Sequence, residues 1–187
     1  MFDDSELIKK CQHGDSAARE AFFDRFGKKI LRWAKKFEPQ LRKRGHEPHD
    51  AAQDVMLAVF NGRSPPSGEV PVEGWLFAIT KNAAFRKQRS IDRVLGFFDD
   101  LPEFESAESA AVDPLLSGLL ERGLANLSLS QREVLILYDL EERSAPEVAR
   151  MLGVAEGTVR SRVAAGRRAL LRDLKRQGFE LEDALAA

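Results

Sequence analysis

The sequence predicts an all-α protein: two small helical domains joined by a flexible acidic linker. Apolar residues recur at helical spacing through most of the 187 residues. They are set among Ala, Leu, Glu, Arg and Lys, which favour helix, with few strand formers. Between Ser90 and Pro114 the periodicity lapses into an acidic, small-residue stretch containing Pro102. The expected division is residues 1–92, a linker 93–113, and residues 114–187.

In the first domain, Asp3, Asp4 and Ser5 offer caps for a short helix carrying Leu7, Ile8 and Cys11 and ending near Gly14. A longer helix from about Asp15 carries Phe22, Phe26, Ile30, Trp33 and Phe37, spaced four, four, three and four residues apart. That spacing makes one apolar face, with lysines on the opposite side. Pro39 and Gly45 mark a connection. A third helix begins around His49 or Asp50 and turns Ala52, Val55, Met56, Val59 and Phe60 inward. Asn61 to Pro71, rich in proline and glycine, is a loop. A fourth helix runs from about Glu73 into the nineties, with Trp75, Leu76, Ile79 and Ala83 inward.

The second domain opens on a leucine stripe: Leu115, Leu116, Leu119, Leu120, Leu124 and Leu127. Ser130-Gln131-Arg132-Glu133 reads as a capping box for a helix with Val134, Leu135, Leu137 and Tyr138. Ser144 and Glu147 repeat that spacing ahead of Val148, Ala149 and Leu152. Gly153 suits a left-handed residue just past that short helix. A final helix from Glu156 to about Lys175 buries Val159, Val163, Leu170 and Leu174. Short helix, glycine turn and basic helix together make a helix-turn-helix.

Composition narrows the function classes. A single cysteine excludes an intrachain disulfide and any paired-cysteine zinc site. His46 and His49 stand three residues apart without further ligands, so no metal and no cofactor is expected. Cys11 is either a redox sensor or a packed thiol, and its apolar helix position favours packing. The acidic N-terminus is not a signal peptide, and no apolar run approaches the roughly 18 residues that span a bilayer. A cytoplasmic protein without membrane insertion is expected.

The net charge of −1 conceals strong segregation. Basic residues gather from Lys28 to Arg44, from Lys81 to Arg93, and from Arg160 to Arg176, with acidic residues between Asp99 and Asp113. Basic helical faces joined by an acidic tether point to nucleic acid. In the last helix, about 100° per residue puts Val159, Val163 and Leu170 on one side and Ser161, Ala164, Ala165, Arg168 and Arg172 on the other. Arg160, Arg162 and Arg167 flank the outer face, where phosphates lie if the helix enters the major groove. By themselves these residues identify a DNA-binding module, as found in several kinds of transcriptional regulator.

Leu129-Ser130-Gln131-Arg132-Glu133-Val134-Leu135, then Glu147 to Val154, then Gly157-Thr158-Val159-Arg160-Ser161-Arg162, resemble region four of the extracytoplasmic-function sigma factors of RNA polymerase. Asp50-Ala51-Ala52-Gln53-Asp54-Val55-Met56-Leu57-Ala58-Val59-Phe60 is similar to region two of the same family, as is Trp75 to Arg86. The two regions stand in the family's order and spacing, from about Leu7 to Leu174.

The resemblance implies a non-enzymatic initiation factor. Asp50, Gln53, Asp54, Leu57 and Phe60 would dock on the clamp helices of the polymerase largest subunit. Lys81, Asn82, Phe85, Arg86, Lys87 and Arg89 would hold the melted downstream promoter element. Thr158, Arg160, Ser161, Arg162, Ala164, Ala165, Arg167 and Arg168 would meet the upstream element in duplex DNA. Implied partners are core RNA polymerase, through the clamp helices and the flap region, promoter DNA, and an anti-sigma factor. The sequence departs from the family at Ala164 and Ala165, which leave fewer side chains for base edges, and at Ala155, where a capping serine is usual. It departs again at Ala51 and Ala52, where larger aliphatics are usual and weaker polymerase docking is expected. Two alternatives stay open: a stand-alone helix-turn-helix regulator binding as a dimer, and a polymerase-binding adaptor that opens no promoter.

Overall fold

In a computed structural model of the chain, residues 3–43, 45–65, 70–85 and 114–179 are described. They are helical, without strands, and fall into two compact units. The acidic linker and the expected end of the fourth helix lie outside the described residues.

The first unit comprises α1 (Asp4–Gln12), α2 (Ser16–Phe22), α3 (Lys28–Lys36), α4 (Glu38–Arg42), α5 (Pro48–Phe60) and α6 (Val72–Phe85). α2 and α3 are one continuous rod joined by a π-helical turn, Phe23–Gly27. The rod begins at Asp15, whose carboxylate accepts the Ala18 N–H at 3.0 Å. The stripe expected of this rod is its core face: Phe22, Phe26, Ile30, Trp33 and Phe37 are all buried. Trp33 meets Phe77 of α6 edge-on, with centroids 5.4 Å apart, and Phe22 meets Phe60 of α5 at 5.8 Å. Such pairs add about 0.5–1.5 kcal/mol beyond area burial. Cys11 is fully buried, and desolvation pushes its thiol up to about 11.

Two boundaries differ from the sequence expectation. The segment after Phe37 is not a plain connection but the short helix α4, with Pro39 in its first turn, where a missing N–H costs nothing. α5 starts at Pro48 rather than His49 or Asp50, because Glu47 is its cap. The Asp50 carboxylate then accepts the Glu47 N–H at 2.8 Å, closing a capping box.

The second unit comprises α7 (Pro114–Asn126), α8 (Leu129–Leu135), α9 (Ala145–Leu152) and α10 (Glu156–Arg176). α8 runs on into a second π-helical turn, Ile136–Leu140, in which the Glu141 N–H donates to the Ile136 carbonyl at 2.9 Å. The core is Leu124, Leu127, Val134, Leu135, Ile136, Leu137, Val148, Met151, Val159 and Val163. α10 crosses α8 where Gly166 is buried against Leu135 and Gln131. Leu170 and Leu174 are half-buried.

The cap of α8 corrects the sequence assignment. Ser128, not Ser130, is the N-cap: its hydroxyl accepts the Gln131 N–H, and the Gln131 side chain accepts the Ser128 N–H at 3.2 Å. Shifting the box by two residues leaves Arg132 and Glu133 facing inward, and both are buried. Arg132 is only 2% exposed and donates through Nη2 to the carbonyl of Ala125, 2.5 Å away, near the C-terminal end of α7. A cation there satisfies orphan carbonyls and complements the helix dipole. Burial lowers its pKa.

Candidate nucleic-acid and polymerase interfaces

α9, a turn at Gly153 to Ala155, and α10 form the helix-turn-helix. α9 is opened by a reciprocal cap in which Glu147 accepts from the Ser144 N–H at 2.9 Å and from its hydroxyl at 2.6 Å. These hydrogen bonds hold the Glu147 carboxyl below its usual pKa. α9 ends on Gly153 in the left-handed region, φ 65°, and the Val154 N–H returns to the Ala149 carbonyl at 3.1 Å. Ala155 caps α10 without a side-chain hydrogen bond, as its methyl dictates.

α10 is amphipathic in the sense expected. Val159, Val163 and Gly166 are buried, while Arg160, Ser161, Ala164, Arg167 and Arg168 are exposed; Thr158, Arg162 and Ala165 are half-buried at its sides. The exposed face continues through Leu171, 39% exposed, and Arg172. The arginines differ in what holds them. Arg160 pairs with Glu156 one turn earlier. Arg167 donates through Nε to Asp139 Oδ2 at 3.2 Å and through Nη2 to Oδ1, and its guanidinium lies 5.6 Å from the Tyr138 ring centroid. The Asp139 hydrogen bonds push the Arg167 pKa up. Arg162, Arg168 and Arg172 have no ion-pair partner among the described residues. The Asp139 contact escapes sequence inspection, because 28 residues separate it from Arg167.

On α5, Asp50 and Gln53 are exposed, and Asp54 and Leu57 are half-buried at the edge of the same face. Phe60 is different. It is 6% exposed, packed on Phe22, with the Arg19 guanidinium 5.1 Å from its ring centroid. In this structure it supports the helix from inside rather than lining the outer face. Ala51 and Ala52 are also buried, so the shortened side chains stand in the core and not among the exposed polar residues.

On α6, Trp75 is core, Asn82 is exposed, and Lys81 and Phe85 are half-buried. Phe85 packs edge-on against Phe37, centroids 5.9 Å apart, which orients the ring at the last turn. Lys29 of α3 pairs with Glu73 at the start of α6, so part of the basic stripe is spent joining helices. Arg86, Lys87 and Arg89 lie outside the described residues. No helix of the described residues is long and apolar enough to cross a membrane.

Comparison with known proteins places both units. Residues 22–94 match the Sigma-70 region 2 family model, and residues 117–170 match that of Sigma-70 region 4. The chain is 31% identical over 170 residues to the ECF RNA polymerase sigma factor SigM of Mycobacterium tuberculosis, covering 90% of this chain and 83% of that one. Among solved structures, the sigma factor RpoE of Bartonella quintana, in complex with the anti-sigma factor NepR, is similar at 26% identity and a TM-score of 0.52. That match covers 82% of this chain and 96% of the other. CnrH, in complex with the cytosolic domain of CnrY, shares the fold at 22% identity and a TM-score of 0.60, over 92% and 97% of the two chains. With both regions present in order and a relative matched over most of its length, this chain belongs to the extracytoplasmic-function RNA polymerase sigma factors.

Proposed function

We propose that this chain acts as an alternative sigma factor through three surfaces: it binds core RNA polymerase by α5, holds the melted downstream element by the end of α6, and reads upstream duplex by α10. Residues 1–92 form the polymerase-binding and melting domain, and residues 114–187 the upstream-reading domain. The observation that carries this is the pairing of a helix-turn-helix, its basic helix face outward, with an α5 whose Asp50 and Gln53 stand exposed in one chain.

Each surface has a physical rationale. On α5, Asp50, Gln53, Asp54 and Leu57 offer charge, amide and aliphatic contact one turn apart, suited to a partner helix. Phe60 contributes by packing beneath them. On α6, Asn82 and the Phe85 ring offer hydrogen bonding and stacking for an extruded base, with Lys81 for the backbone; Arg86, Lys87 and Arg89 extend that positive surface in sequence. On α10, Arg168 and Arg172 bring cations to the outer face and Ser161 a hydroxyl, while Ala164 leaves room for close approach. Catalysis would belong to the polymerase, and the protein would work in the cytoplasm. The complex of the similar sigma factor RpoE with the anti-sigma factor NepR supports an anti-sigma partner here too.

The test is transcription in vitro with sigma-free core polymerase on a genomic fragment library, with starts mapped. Protein-dependent starts sharing an upstream and a downstream motif, lost in Gln53→Arg and in Arg168→Ala, are expected. Symmetric duplex binding without polymerase and without starts would overturn the proposal in favour of a stand-alone regulator. Polymerase binding without starts on any fragment would leave an adaptor instead.

A further inference from the structure

We infer that Asp139 is a positioning residue that withholds Arg167 from DNA, so that one flank of the recognition helix is charge-neutralised and the duplex is met by the face carrying Ser161, Arg168 and Arg172. This rests on the assignment of α10 to duplex DNA and deepens it.

The geometry is that of a clamp. Asp139 takes the side of the guanidinium formed by Nε and Nη2, and Tyr138 lies beneath it. Two parallel hydrogen bonds and a ring contact specify a rotamer far more tightly than a single-point pair does. Asp139 is the less exposed of the two, its side chain 28% exposed against 55% for Arg167. It reaches α10 because α8 passes into the π-helical turn Ile136–Leu140, whose wider winding places Tyr138 and Asp139 together beside Arg167.

At about 100° per residue, Arg160 and Arg167 fall within roughly 20° of each other on α10. Both are paired with carboxylates, Arg160 with Glu156 and Arg167 with Asp139. Arg168 and Arg172, turned about 80–140° away, have no such partner among the described residues. A phosphate approaching the paired flank would meet two carboxylates as well as two cations; on the outer face it meets cations alone. The segregation therefore sets the roll of the helix in the groove, and it reassigns Arg167 from a phosphate ligand to a clamped residue.

The experiment is binding of the full chain to a labelled mixed-sequence duplex, read by anisotropy across a salt series, for wild type, Asp139→Asn, Arg167→Gln and Arg168→Gln. One phosphate contact contributes about 0.9 to the slope of log K against log salt. The expected results are a slope nearly unchanged in Arg167→Gln and shallower by about 0.9 in Arg168→Gln. In Asp139→Asn the freed Arg167 steepens it by about 0.9, a roughly 3.5-fold larger loss of affinity between 50 and 200 mM salt. Thermal unfolding of each variant separates these effects from loss of folding, which does not steepen a salt slope. If Arg167→Gln flattens the slope as Arg168→Gln does while Asp139→Asn leaves it unchanged, Arg167 is a phosphate ligand and the inference is overturned. If Arg168→Gln also changes nothing, the assignment of α10 to duplex DNA fails with it.

Discussion

Adding one methyl at Gly166 tests the contact that seats the recognition helix. A Cβ built there lies 3.1 Å from both Cγ and Cδ1 of Leu135 and 3.4 Å from Cβ of Gln131. Carbon pairs prefer about 3.5–4.0 Å, so α10 and α8 must part by a few tenths of an ångström or Leu135 must turn. Alanine gains about 1 kcal/mol of helix propensity over glycine. Over-packing a filled interface costs about 1–3 kcal/mol. The expected net effect of Gly166→Ala is a loss of about 1 kcal/mol from the second unit. Leu135→Ala alone removes a buried side chain and costs about 2–5 kcal/mol. In the double variant the new methyl enters the space Leu135 leaves, so the two costs are not additive, and a coupling of at least about 1 kcal/mol is expected.

Urea unfolding of the full chain measures all three variants. Both tryptophans, Trp33 and Trp75, are in the first unit, so their fluorescence follows that unit and serves as an internal control. Far-UV circular dichroism follows both, and the difference isolates the second. A Gly166→Ala variant stabilised by the full propensity gain, with strictly additive behaviour alongside Leu135→Ala, would refute the close approach of α8 and α10.

Other substitutions probe local features. Ser128→Ala is expected to cost about 1 kcal/mol and Ser130→Ala only a few tenths, measured by the same unfolding assay; the reverse order would restore Ser130 as the cap. The Glu147 carboxyl titrates below its ordinary pKa, so its support for α9 is present at neutral pH and is lost as pH falls through that lowered value; in Ser144→Ala its midpoint, followed by carbon NMR, moves back up. For Cys11 the folded pKa is raised from 9.0 to about 11, so a neutral thiol is favoured in the fold. Its contribution is complete below pH 9 and is lost as pH rises toward 11. The wild type should therefore lose more stability than Cys11→Ala over that interval. The same thiol should resist a disulfide reagent at pH 8 until the protein unfolds.

The amphipathic stripes were legible because burial of one helix face dominates residue choice. Phe22, Phe26, Ile30, Trp33 and Phe37 all face the core as their spacing requires. The second box (Ser144 and Glu147) and the left-handed Gly153 were legible for a similar reason, since each is a local rule that neighbouring residues satisfy alone. The π-helical turns were not legible, because an extra residue per turn hardly changes the average spacing of a stripe. Helix α4 was hidden by a proline that serves equally well to end one helix or begin the next.

The family, the two helical units and the faces of α5 and α10 were thus determined by the sequence itself, through periodicity, motif order and charge. Only the tertiary structure decided between Ser128 and Ser130, because both precede a residue able to close a capping box. What separates the two is the burial of Arg132 against the end of α7. It also placed Ala51 in the core and gave Arg167 its carboxylate. Those outcomes depend on which helices meet, and helices distant in the chain meet only when the hydrophobic faces of the whole unit close together.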